Sequence, residues 1–167
     1  MLCTIVVLFI SINRRFPQSN RVIYSCGETG VWNETLAITV KGREWLDSEE
    51  VNKRYGDCEN QIKGADHCTV LVEMSFKNIG DSKELVQPYH LYLECLGWCN
   101  GVSREVYFCC NDDEFEFELK PKEEKTILLP YTIFSVDYKD KEWDSVKEKD
   151  YSISILQYPT KACWKIS

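Results

Sequence analysis

The stretch "HCTVLVEMSFKNIGDSKEL", residues 67–85, decides the fold. Successive side chains of an extended chain point to opposite faces, so Val70, Val72, Met74 and Phe76 line one side of a strand. The turn residues of "NIGD", Asn78 to Asp81, then end the run. An apolar stripe of this kind needs an opposing layer, and the stretch predicts a core strand facing a second sheet.

The same period of two recurs outward in both directions. In "TLAITV" it aligns Leu36, Ile38 and Val40; in "PYHLYLECLGW" it places Tyr89, Leu91, Leu93 and Cys95 opposite His90, Tyr92, Glu94 and Leu96. "EFEFEL" alternates Phe115, Phe117 and Leu119 with Glu114, Glu116 and Glu118, which leaves one face wet and argues for antiparallel pairing. "KTILLPYTIF" and "YSISIL" add two strands, and Pro130 sends the first of them to a sheet edge or a bulge. Asn100-Gly101 is the dipeptide that suits a tight hairpin, and "KPKEE" separates two further strands. Strands at about ten-residue spacing predict an all-β chain, an immunoglobulin-like antiparallel β-sandwich of about seven to eight strands. Two long charged segments, "EWLDSEEVNKRYGDCENQIKGAD" and "VDYKDKEWDSVKEKD", interrupt the rhythm and read as loops with a helical turn each.

The chain has 167 residues and a net charge of -7, with 27 acidic and 20 basic residues mixed along it. That length fits one sandwich domain, taken as residues 21–167 after an apolar leader over residues 1–20. Phosphate binding needs clustered Lys and Arg, so a nucleic-acid partner is excluded. The leader, "LCTIVVLFISI", has the apolar core of a signal peptide and is shorter than a membrane span. Arg14-Arg15 follows it where small cleavage-site residues would be expected. It reads as the remnant of a signal or membrane-anchor segment with a late start codon, the alternative being a first β-strand.

Nine cysteines at this length point to pairing outside the cell or to metal coordination inside it. As a metal site "CLGWCNGVSREVYFCC" offers Cys95, Cys99, Cys109 and Cys110. Adjacent Cys109-Cys110 are poor joint ligands, no C-x-x-C is present, and His67 and His90 do not have zinc-pair spacing. Disulfides are the preferred reading. With Cys3 set aside in the leader, the candidates are Cys26, Cys58, Cys68, Cys95, Cys99, Cys109, Cys110 and Cys163, whose connectivity stays open. A hairpin turned at Asn100-Gly101 would set Cys99 opposite Val102 and Cys95 opposite Val106, so neither would meet Cys109 or Cys110 across the ladder.

Catalytic chemistry finds no foothold. Asp112, Asp113 and the three glutamates after them form a solvated acidic edge rather than a converging carboxylate pair. Nucleophile motifs, phosphate-cradling glycine runs and dinucleotide fingerprints are missing from the sequence, so no enzyme and no cofactor is expected. "NET" at Asn33 to Thr35 is an N-glycosylation triplet, and Trp32, Trp45, Trp98, Trp143 and Trp164 could form a sugar platform but more often pack in a core.

Four stretches together resemble a known family. "CGETGVWNETLAITVKG", "CTVLVEMSFKNIGDSKELVQPYHLYL", "FELKPKEEKTILLPYTI" and the closing "KACWKI" follow the order of elements in the telokin-like, immunoglobulin-like extracellular domains of Gram-positive bacterial lipoproteins and surface proteins, a domain of unknown function. The resemblance implies an exported β-sandwich that binds or spaces something, without catalytic residues. Its members carry few cysteines, so the bridges would be particular to this chain. The expected partner is a protein or glycan at the cell surface, with membrane contact only through the N-terminal segment.

Overall fold

The computed structural model describes residues 2–15, 19–56, 66–112, 114–155 and 159–166. Cys58 and Asp113, both weighed above, lie outside them, as does the side chain of Cys3. Among the described residues the strands are β1 (Asn20–Tyr24), β2 (Thr29–Trp32), β3 (Leu36–Asp47), β4 (His67–Asn78), β5 (Glu84–Val86), β6 (Leu91–Cys95), β7 (Trp98–Asn100), β8 (Phe117–Leu119), β9 (Glu124–Phe134), β10 (Ser152–Ile155) and β11 (Thr160–Lys165). The helices are α1 (Leu2–Arg15), α2 (Ser48–Tyr55), α3 (Arg104–Cys110) and α4 (Asp140–Trp143). A four-stranded sheet in the order β2-β3-β4-β9 packs on a five-stranded sheet in the order β1-β11-β10-β6-β7, and β5 pairs with β8 beside them. The molecule is a β-sandwich.

β4 is the strand that the opening stretch predicts. Val70, Val72, Met74 and Phe76 are fully buried between the sheets, each contributing about 1.5–3 kcal/mol by transfer from water. Its other face is also covered. Leu71 joins Leu46, Val51 and Val106 in a second cluster, where α2 and α3 lie over the outside of the sheet. Leu36, Ile38 and Val40 of β3 are buried in the main core, and Glu116 and Glu118 stay in solvent, as the alternation requires.

Trp164 ties the two sheets together. Its ring stacks on Tyr24 at 5.1 Å, and its indole Nε1 donates across the core to the carbonyl of Ile38 at 3.2 Å. Gly30 makes this possible, because a Cβ there would lie 2.4 Å from the Tyr24 ring. Pro130 sits on β9, an edge strand, and its carbonyl accepts from Ser103 N on the side away from β4. The missing N–H points the same way and removes no ladder bond.

Three asparagines clip loops to strands. Asn78 donates to the carbonyls of Ser82 and Leu119 and accepts from Gly80 N, closing the "NIGD" turn. Asn111 donates to Leu128 O and accepts from Leu128 N, and Asn100 donates to Thr132 O.

The structure differs from the sequence reading at five points. Short strands bring the number among the described residues to eleven, and there β1 runs parallel to β11 in an otherwise antiparallel pair of sheets. Leu2–Arg15 of the leader is helical, which overturns the alternative of a first β-strand there. "SEEVNKRY" is a full helix, α2, started by a capping box between Asp47 and Glu50 and held to β3 by the Arg54–Glu44 fork at 2.5 and 2.8 Å. The β6–β7 hairpin turns at Leu96-Gly97, not at Asn100-Gly101, and pairs Cys95 with Trp98 and Glu94 with Cys99. Val102 and Val106 therefore face neither cysteine, since the chain leaves β7 for α3.

Candidate functional site

The features that could serve a partner gather at the end of the sandwich where β6 turns into β7. Gly97 takes φ +81, which lets the turn close in two residues and leaves Leu96 wholly exposed, at 104% of its reference area. Trp98, just past the turn, donates from Nε1 to Asp137 at 3.4 Å and rests on Tyr138 with ring centroids 5.9 Å apart. Val136, beside that contact in the 3-10 turn Ser135–Asp137, is 77% exposed.

Trp98 and Tyr138, each two residues after one of these aliphatic side chains, begin an aromatic row. Tyr138 continues to Trp143 at 6.3 Å, and Tyr151 bridges Trp98 at 6.3 Å to Trp45 at 5.5 Å. The Tyr138 hydroxyl lies 3.5 Å from that of Tyr151 and 3.8 Å from the Cys95 thiol, and Lys149 Nζ stands 5.4 Å from the centre of the Tyr138 ring. Burial pushes the Tyr151 phenol up to about 12 and raises Tyr138 further, so the row is neutral at ordinary pH.

A cleft opens on each side of the row. One, about 670 Å³, is lined by Asp47, Ser48, Asp66, His67, Trp143 and Glu148 among others and is rich in carboxylates. Within it Ser48 Oγ and His67 Nε2 are 3.0 Å apart, a bond that fixes the start of α2 against the start of β4. The other cleft, about 510 Å³, runs past Arg21, Glu94, Leu96, Trp98 and Cys99. At its margin the Lys161 ammonium meets the Glu94 carboxylate across β10, whose small Ser152 and Ser154 leave room for both.

The cysteines scatter. Cys95 faces the core and Tyr138, whereas Cys99, opposite Glu94, is on the outer face and exposed. Cys110 packs beside Tyr55 in the second cluster, and Cys109 is disulfide-bonded. The proposed four-cysteine metal cluster is therefore not assembled, because the hairpin splits its first pair between faces and α3 carries the second. Among the described residues no group of three or more His, Cys, Asp or Glu is placed to hold a metal.

Six of the disulfide candidates, Cys26, Cys68, Cys95, Cys99, Cys110 and Cys163, are free thiols. This corrects the eight-cysteine framework. The reason is packing: Cys163 points at Glu94 on the outer face, Cys26 at the Val40 carbonyl and Cys95 at Tyr138, while Cys68 fills the interior as a small apolar residue. Burial raises the Cys163 thiol and pushes Cys110 up to about 11, so both are held as thiols at ordinary pH. Timed alkylation of the folded protein, read by intact mass, is expected to modify Cys26 and Cys99 first and to reach Cys68 and Cys163 only after unfolding. Cys163 reacting as fast as Cys99 would refute this placement.

Sequence reasoning missed the Leu96-Gly97 turn, the Trp98–Tyr138–Trp143 row and the Ser48–His67 pair. Only "LGW", with a glycine between apolar residues, carried a readable signal. The model of a domain of unknown function, DUF5028, matches residues 33–162. The chain belongs to the DUF5028 family. No curated protein matches it. Two solved structures are similar to this DUF5028 chain. An uncharacterized β-sandwich protein from Clostridium difficile 630 has 13% identity and a TM-score of 0.46, over 90% of this chain and 95% of that one. A functionally unknown protein from Listeria monocytogenes EGD-e has 9% identity and a TM-score of 0.46, over 75% and 68% respectively.

Proposed function

We propose that this DUF5028 chain is a non-enzymatic, exported binding domain of immunoglobulin-like, telokin-like kind, of the sort carried by Gram-positive surface proteins, and that it meets a protein or glycan partner through the β6–β7 end. The observation that carries this reading is the pair of exposed aliphatic residues, Leu96 and Val136, each two residues before a member of the Trp98–Tyr138 contact, beside a neutral aromatic row between two clefts. Exposed apolar anchors on a preorganised base lose little entropy on binding and are the kind of residue that dominates interface energies. The apolar leader supports an extracytoplasmic home.

The test is saturable binding of the fluorescently labelled chain to host cells that have been pretreated with protease or with periodate. Loss after protease identifies a protein partner, and loss after periodate a glycan. Absence of saturable binding to any cell surface refutes the proposal. Ser48→Ala is expected to bind as wild type does, since its hydroxyl serves the α2–β4 joint rather than the aromatic row.

A further inference from the structure

We infer that α1 is a membrane-surface helix that seats on anionic lipid. Ile5, Phe9 and Ile12 follow one another at i, i+4 and i+7 with Val6 alongside, and all four are half or more exposed. A stripe with this spacing on a helix surface is built to be covered. The charge of the helix names what covers it: Arg14 and Arg15 occupy its last turn, it holds no acidic residue, and the rest of the chain is net acidic.

Phospholipid headgroups of negative charge attract the arginines and repel the sandwich. The helix would therefore lie in the headgroup plane while the body stands away from it. No helix among the described residues is long and apolar enough to cross a membrane. Lying along the surface satisfies its backbone internally and buries the apolar stripe without requiring a span.

The experiment is flotation of the full chain with vesicles of phosphatidylcholine alone and of phosphatidylcholine containing phosphatidylglycerol. Binding is expected to the anionic vesicles only and to weaken as salt is raised. Arg14→Gln with Arg15→Gln should weaken it about 30-fold, each charge being worth about fivefold at such a surface. Phe9→Glu should abolish it, with the melting temperature of the sandwich unchanged. Equal binding to both vesicles, full binding by Phe9→Glu, or a stable dimer that floats with neither vesicle, its stripes covering each other, would overturn the inference. Protein carrying Leu96→Asp and Val136→Asp should bind vesicles normally, so this outcome is separate from that of the loop-end reading.

Discussion

Trp164→Ala is expected to lower stability by about 3–5 kcal/mol and the melting temperature by about 10 °C or more. The indole is fully buried, and it contributes both packing and the Nε1 donor to Ile38 O that joins the sheets. Removing it leaves a cavity against Tyr24 and takes one donor from the Ile38 carbonyl, two costs that the surrounding sheets relieve only in part. Trp164→Phe keeps most of the packing and should lose less than half as much. Urea unfolding of the three proteins checks the order, and equal losses for Ala and Phe would show that the hydrogen bond alone matters.

Asn78→Ala should cost about 3 kcal/mol although it removes only one small side chain. That side chain satisfies the carbonyls of Ser82 and Leu119 and the amide of Gly80, and the residue is fully buried. Each orphaned buried group carries a penalty of about 1–3 kcal/mol, partly relieved by water at the turn. Asn78→Asp is the sharper variant. It preserves the acceptor for Gly80 but turns a second oxygen toward two carbonyls, so it should be no more stable than Ala. An Asp variant as stable as wild type would mean that the two donated bonds are not made.

How far the fold could be read in advance follows from these same residues. The stripes of β3 and β4 were legible because a long strand repeats its period several times, and Pro130 marked β9 as an edge strand because a missing N–H is tolerated only there. The hairpin was misplaced because Asn100-Gly101 suits a turn with two positive φ angles. The chain instead uses a turn in which Gly97 takes a positive φ, and it spends the Asn100 side chain on Thr132 O. α3 was missed because seven residues span about two turns, too few to establish a helical period. Cysteine pairing was illegible in principle, since it depends on which faces Cys95, Cys99 and Cys163 occupy, and that is settled by register.

The candidate site was less legible than the fold. Leu96 read as one more member of an alternating strand, yet a two-residue turn turns it out into solvent. Trp98, Tyr138, Trp143 and Tyr151 come from three separate segments that only the packing of the Ser135–Asp137 turn and α4 against β7 brings together.

The most direct test of the binding account is to measure the affinity of wild type and of the Leu96→Asp/Val136→Asp variant for the same host cells, after showing equal melting temperatures. Both residues are exposed, so the folded protein should tolerate the change. At least about a tenfold loss of affinity is expected, the effect of removing two apolar anchors from an interface centre. Undiminished binding by the variant would contradict it and move the contact surface away from this end of the sandwich.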